Sequence, residues 1–297
     1  MNREELKAQI EGINVWKRGA QRAPHKPLLL LYALARSRRN SDRFIPYTAV
    51  DEKLKQLLMD FGPTRKSYHP EYPFWRLQND GIWELKNTEN VSLRAGNTDA
   101  KKGDLIKYNT LGGFKKQIFD LVTSDPAAAV EIATEILEAN FPASIHKDIL
   151  QAFGLDLKPE TPEKRKRDPY FRDRIIRAYE HQCAVCGFNV RMGHALVALE
   201  AAHIKWHQAG GPDSEGNGIA LCALHHKLFD RGAFTVSPQL HIQVSDRAHG
   251  THGFREWLSE FHGKSVRPPQ RPAYYPEPEF VEWHVREVFQ GEARYQK

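Results

Sequence analysis

The sequence predicts an α+β protein in two parts: a mixed helical and short-strand N-terminal domain, then a small strand–loop–strand–helix module. Three observations predict it. Apolar runs at helical spacing fill the first half, aromatic segments flanked by turn residues interrupt them, and two short Cys/His pairs bracket alternating strands in the second half. At about 150 residues per domain, 297 residues suit two domains. Fifteen Phe, ten Tyr and six Trp, within 40% hydrophobic residues, exclude a disordered chain.

Taken in order, residues 2–12 read as a charged amphipathic helix and the basic stretch 16–22 as a loop. Pro27 suits a first helical turn, so Pro27 to Arg39 reads as a buried helix whose basic residues gather at its C-terminal end. A further helix is expected over 47–59. Segment 68–77 has two prolines and four aromatics, which predicts a loop entering a strand rather than a helix. Gly81 to Leu85 alternates as a strand, and Asn79-Asp80-Gly81 is a turn that would join the two strands as a pair.

Ser124-Asp125-Pro126 is a capped start for a helix over 127–139. A second helix, 144–153, stops at Gly154, and the two are expected to pack as a pair closing the first domain. Residues 156–168 hold two prolines, nine charged residues and one Leu, which is linker composition. The expected division is therefore a domain over 1–155, a linker over 156–168 and a second domain over 169–297. Residues 241–297, rich in Trp, Tyr and Phe, are expected to form a helical extension of the second domain or a dimer contact.

The longest apolar stretch, Leu28 to Ala35, is far short of the roughly 20 residues of a membrane span. The N-terminus lacks a signal peptide's apolar core, so a cytoplasmic protein is expected, with no membrane partner. A formal net charge of +6, spread over both halves, suits a polyanion partner without proving one.

The strongest chemical signal is Cys183-x-x-Cys186 followed, after 35 residues, by Cys222-x-x-His225. Thiolates and an imidazole at two-residue gaps converge on tetrahedral zinc. The alternative is a redox-active first pair with Cys222 as a small core residue. Between the pairs lie His203, then Asn217 after 13 residues, then His226 after 8 more.

In this order and spacing residues 181–236 resemble the HNH endonucleases, whose ββα-metal site runs strand, loop, strand, helix beside a zinc knuckle. Phosphodiester hydrolysis needs a base for water and a cation for the phosphoryl charge, and imidazole is a suitable base near neutral pH. The resemblance assigns His203 as the base and has Asn217 orient it or hold the loop. It gives His226 to a catalytic divalent ion, Mg²⁺ or Mn²⁺, and leaves Cys183, Cys186, Cys222 and His225 for structural zinc. Asp230, one turn beyond His226, either completes the metal shell or makes a salt bridge with Lys227 or Arg231. Many of these nucleases carry a metal ligand just before the base; here that residue is Ala202, which shifts weight to Asp230. The helix over 170–179, with Arg172, Arg174 and Arg177, either touches phosphate or is a solvated face.

The stretches Arg18 to Leu31 and His69 to Leu77 resemble the sulfur-binding domain of phosphorothioate-dependent type IV restriction endonucleases, in which this domain precedes an HNH module. The resemblance then covers residues 5–240 and implies a partner in phosphorothioate-modified double-stranded DNA. Sulfur is larger and more weakly hydrated than oxygen, so an apolar pocket accepts it while refusing a hydrated oxygen. By that pattern Tyr72 and Pro73 form pocket walls, with Arg18, His25 and Lys26 as phosphate or base-edge contacts and Arg76 as a further contact of that kind. Arg22 and Arg94 are other cations that could face DNA. Cutting both strands calls for two modified half-sites or a homodimer. Rival readings are an HNH nuclease that reads a methylated or hydroxymethylated base in an aromatic cage, and a non-catalytic zinc-containing DNA-binding protein.

Overall fold

The computed structural model describes residues 1–13, 21–39, 42–96, 98–154 and 168–294. They divide into two compact units: one from 1–13, 23–140 and 146–154, the other from 21–22, 141–145 and 168–294. The expected linker, apart from Asp168, lies outside the described residues, as does Arg18.

In the first unit, α1 (Arg3–Glu11) starts at a capping box in which Asn2 and Glu5 bond each other's backbone N–H. α2 (His25–Arg39) is apolar on every side and buried from Pro27 to Ala35, because other helices surround it. β1 (Ile45–Pro46) leads into α3 (Tyr47–Phe61), then α4 (Glu71–Arg76), β2 (Trp83–Lys86), α5 (Lys102–Lys107), β3 (Leu111–Phe114) and α6 (Lys116–Ser124). α7 (Pro126–Asn140) is capped by Asp125, whose carboxylate accepts from the N–H groups of Ala127 and Ala128. α8 (His146–Phe153) follows. α7 and α8 each pack on α2, as do α3, α4 and α6, so the pair meets on a shared hub.

Two expectations are corrected here. Glu71–Arg76 is helical, because Pro70 precedes the helix and Pro73 falls in its first turn, where no intrahelical N–H is needed. β2 pairs with β3, not with the segment before Asn79: Trp83 faces Phe114 and Lys86 faces Leu111, and the antiparallel sheet runs β1-β3-β2. Asn79-Asp80-Gly81 does turn the chain, with Gly81 at φ 77°.

The second unit opens with α9 (Phe171–Ala178) and the hairpin β4 (Arg191–Met192) with β5 (Ala195–Leu196). β6 (Leu199–His203) pairs antiparallel with β7 (Gly218–Cys222), from Leu199 opposite Cys222 to His203 opposite Gly218. α10 (Ala223–Asp230) packs back on both strands, and α9 covers the pair. The expected strand, loop, strand, helix order is thus present. Beyond it, β8 (Phe234–Val236) and β9 (Ile242–Val244) form a hairpin, followed by α11 (His252–Trp257) and α12 (Pro278–Glu287), so the extension is not purely helical. Trp283 and Phe289 are buried there, while Trp257 and Tyr275 remain exposed. No helix among the described residues is long and apolar enough to cross a membrane.

Candidate nucleic-acid and metal sites

In the first unit α4 presents Tyr72 beside a group of cations. The His69 ring stacks on Tyr72 at 4.9 Å, and the guanidinium groups of Arg76 and Arg94 lie 5.1 and 5.3 Å from its centroid. Arg94 also donates to the Tyr72 hydroxyl at 2.9 Å. Beneath them Glu71, 2% exposed, accepts from Arg94 at 3.3 Å and faces His69 Nδ1 at 3.0 Å through one oxygen. Pro73, the next residue of the same helix, is buried. This is an aromatic ring and a proline edged by positive charge.

The other expected contacts are placed as follows. Arg76 is bound at both ends of its fork by Asp99, each at 2.6 Å. Lys26 pairs with Asp80 at 2.5 Å. Burial lowers the His25 pKa to about 4, with the charges of His69 and Arg65 acting in the same direction, so its imidazole is neutral at pH 7. Glu71 and His69 were not foreseen; Arg94 gains weight because it is bonded directly to Tyr72.

In the second unit Cys183, Cys186, Cys222 and His225 bring their ligand atoms within 4.8 Å of one another. Nδ1 of His225 is 3.2 Å from Cys222 Sγ and 3.7 Å from Cys183 Sγ, and Cys186 and Cys222 are 4.0 Å apart. Bonds of about 2.1–2.3 Å in a tetrahedron give edges near these lengths. His225 Nε2–H donates to the Trp257 carbonyl at 2.9 Å, which turns the bare Nδ1 toward the cysteines. The first knuckle is fixed to β7 by Ala184 N–H donating to Ala220, and the second begins at the start of α10. Three sulfurs and an imidazole fit a zinc ion.

His203 stands at the end of β6. Its Nε2 is 2.6 Å from Asp213 and its ring is stacked on Phe171 at 4.1 Å. Asn217 is fully buried and clamps the loop between the strands: it accepts from Lys205 N–H at 2.8 Å and donates to the carbonyls of Lys205 and Pro212 at 3.0 and 2.9 Å. Of its two expected roles, these bonds match holding the loop. Two glycines allow the closure. A Cβ on Gly211 would stand 1.8 Å from the Lys205 carbonyl oxygen, and one on Gly218 would stand 2.1 Å from Ile175 on α9.

His226 points away from the cysteines, with Nδ1 2.6 Å from Glu200 on β6 and Nε2 3.1 Å from Asp230. Burial lowers its pKa, but the Asp230 and Glu200 carboxylates outweigh that and raise it to about 10. Asp230 is buried, and accepts from Trp206 Nε1 at 3.0 Å and from the Ser144 hydroxyl. Glu200 was not foreseen, although period two along β6 puts it on the same face as Ala202, the position where a metal ligand was missing. Asp213 was hidden in a Gly-rich loop with no periodicity to mark it. Of the α9 arginines, Arg174 is held by Asp168 and Glu215, and Arg172 donates to the Leu199 carbonyl.

Comparison with known proteins gives two family matches: a ScoMcrA-like DNA sulfur-binding domain over residues 3–158 and an HNH endonuclease over residues 183–237. No curated protein matches the chain. Among solved structures, the sulfur-binding domain of ScoMcrA complexed with phosphorothioated DNA is similar over 50% of this chain and 94% of its own, at 22% identity and a TM-score of 0.45. The type IV phosphorothioation-dependent restriction endonuclease ScoMcrA is similar over 50% of this chain and 32% of its own, at 22% identity and a TM-score of 0.43. The modification-dependent TagI restriction endonuclease is similar over 41% of this chain and 38% of its own, at 23% identity and a TM-score of 0.30.

Proposed function

The chain belongs to the ScoMcrA-like DNA sulfur-binding family, and from that membership we propose that it is a cytoplasmic type IV restriction endonuclease. Its first unit binds phosphorothioate-modified duplex DNA, and its second, an HNH endonuclease domain, hydrolyses phosphodiester bonds nearby. The observation that carries the reading is the β6–β7 pair running into α10, which with the turn just before β7 supplies His203, Asn217 and His226 on the chain that also carries the reader.

Tyr72 and Pro73 offer sulfur an apolar wall, where an oxygen would lose its hydration without a replacement partner. Arg94 and Arg76 hold the phosphate's charge; Glu71 and Asp99 fix their directions. Neutral His25 adds a hydrogen-bonding group rather than a charge. Lys26, tied to Asp80, acts chiefly by holding the start of α2 against the turn at Gly81.

In the nuclease unit His203 takes the proton of the attacking water, and Asn217 keeps the following loop in place. Cys183, Cys186, Cys222 and His225 hold Zn²⁺, which braces the fold. His226 with Glu200 and Asp230 offers imidazole and carboxylate donors that suit Mg²⁺ or Mn²⁺. Asp230 is buried and engaged by Trp206 and Ser144, so it acts mainly through His226, and Glu200 is the carboxylate open to solvent. When bound, that ion neutralises charge on the phosphoryl and leaving oxygens. Two copies of the chain, or two modified half-sites, serve to cut both strands.

The test compares the full chain on matched duplexes that differ in one phosphorothioate linkage, at fixed salt because phosphate affinity falls steeply with ionic strength. A large preference for the sulfur duplex is expected, together with cleavage that His203→Ala abolishes while binding persists. Equal affinity removes the sulfur reading, and full cleavage by His203→Ala removes the assignment of the base.

A further inference from the structure

This inference rests on the nuclease reading above, in which His203 is the base. No motif singles out its neighbour Asp213, yet Asp213 Oδ1 lies 2.6 Å from His203 Nε2. An ionised carboxylate only accepts hydrogen bonds, so the contact puts the ring proton on Nε2 and the lone pair on Nδ1.

Asp213 is itself held from two sides. The backbone N–H of Asp168 donates to Oδ2 at 2.8 Å, and the Asp213 carbonyl accepts from Arg174 at 2.6 Å. Arg174 in turn is fixed by the carboxylates of Asp168 and Glu215, at 2.6 and 3.1 Å. Phe171 lies over the imidazole with the ring planes 14° apart, which limits its rotation.

We propose that Asp213 is a positioning residue of the nuclease: it selects the His203 tautomer that accepts the water proton at Nδ1 and stabilises the imidazolium formed there. In that step the water O–H bond breaks and its proton moves to Nδ1, while the oxygen bonds phosphorus. The leaving ester oxygen departs with the electron pair of its bond and takes a proton from bulk water, and the imidazolium later returns its proton to solvent.

Among the described residues, the charged and titratable groups facing the pair include His207, whose ring centroid is 5.9 Å from that of His203, and, behind Asp213, Arg174, Asp168 and Glu215. α9 and β7 also present Phe171, Ile175 and Gly218. Loss of the Asp213 charge therefore makes the imidazole less basic.

The experiment measures Asp213→Asn in the zinc-loaded full chain. At saturating duplex kcat should fall by about a hundredfold, within the range that general-base catalysis contributes. Affinity for the phosphorothioate duplex should hold, and the acidic limb of the kcat–pH profile should move to lower pH by roughly one unit. Ring ¹⁵N spectra of wild-type His203 should show the proton on Nε2, a readout that survives a variant that fails to fold. A proton on Nδ1 in the wild type, or unchanged kcat and acidic limb in Asp213→Asn, overturns the proposal. A wild type that cuts no duplex counts against the nuclease reading and leaves the ring spectra to decide the pairing.

Discussion

His226 and His284 belong to the same unit, and their surroundings drive them in opposite directions. Two carboxylates face His226 and raise its pKa to about 10 against the effect of burial. His284 is fully buried with neutral partners: its Nε2–H donates to the Phe229 carbonyl and its Nδ1 accepts from the Thr235 hydroxyl. Burial lowers its pKa to about 3, although Asp230 pulls the other way. Between about pH 6.5, where an unfolded histidine titrates, and about pH 3 the unfolded chain binds a proton that the folded chain refuses. This part of the stability is therefore complete above pH 6.5 and is lost as pH falls. The Tm of the second unit should drop between pH 7 and pH 4, and His284→Gln should flatten that slope in a calorimetric series. In the reader, Arg94→Ala should weaken phosphorothioate-duplex binding by at least about tenfold, since a charge-assisted bond is worth about 1.5–3 kcal/mol. A titration of both chains at one salt concentration checks it.

At the level of elements, the helices with strong apolar periodicity were legible: α2, α3, α7 and α9 lie where the pattern puts them. So were β6, β7 and α10, because the Cys/His pairs and the strand alternation agree with one another. α4 was not, because prolines that forbid a helix interior are tolerated in a first turn, and only the turn's exact start distinguishes the cases. The partner of β2 was not legible either, since pairing with β3 across 24 intervening residues leaves no local mark. Candidate site residues divide in the same way. Spacing marks His203, Asn217, His226 and the Cys183, Cys186, Cys222 and His225 set, whereas Glu200 and Asp213 come into view through contacts that only folding makes. The tight meeting of β7 with α9 is an element-scale property that can be tested directly. Gly218→Val would drive methyl groups into Ile175, at a cost of about 1–3 kcal/mol for an overpacked core. Lower Tm of the second unit and loss of cleavage, with sulfur-duplex binding kept, are the expected results.

Over the whole molecule, the two units have separate cores, one around α2 and one around β6, β7 and α9. Among the described residues, the Cys183, Cys186, Cys222 and His225 cluster, which could hold a metal ion, lies in the second. Stripping the metal with a strong chelator, or replacing Cys222 with Ser, should lower the melting transition of the nuclease unit and abolish cleavage. The reader should keep its transition and its preference for sulfur, as calorimetry and binding on the same sample would show.

The β1-β3-β2 order of the reader's sheet governs how the chain matures during synthesis. Among the described residues both outer strands pair with β3, which is the last of the three to be made. As the nascent chain leaves the ribosome, β1 and β2 have no edge to join until Leu111–Phe114 emerges, so every element before α6 must be translated before the sheet closes. A polypeptide truncated anywhere before residue 111 lacks the partner of both outer strands, and the expected outcome is unpaired strands rather than a smaller reader.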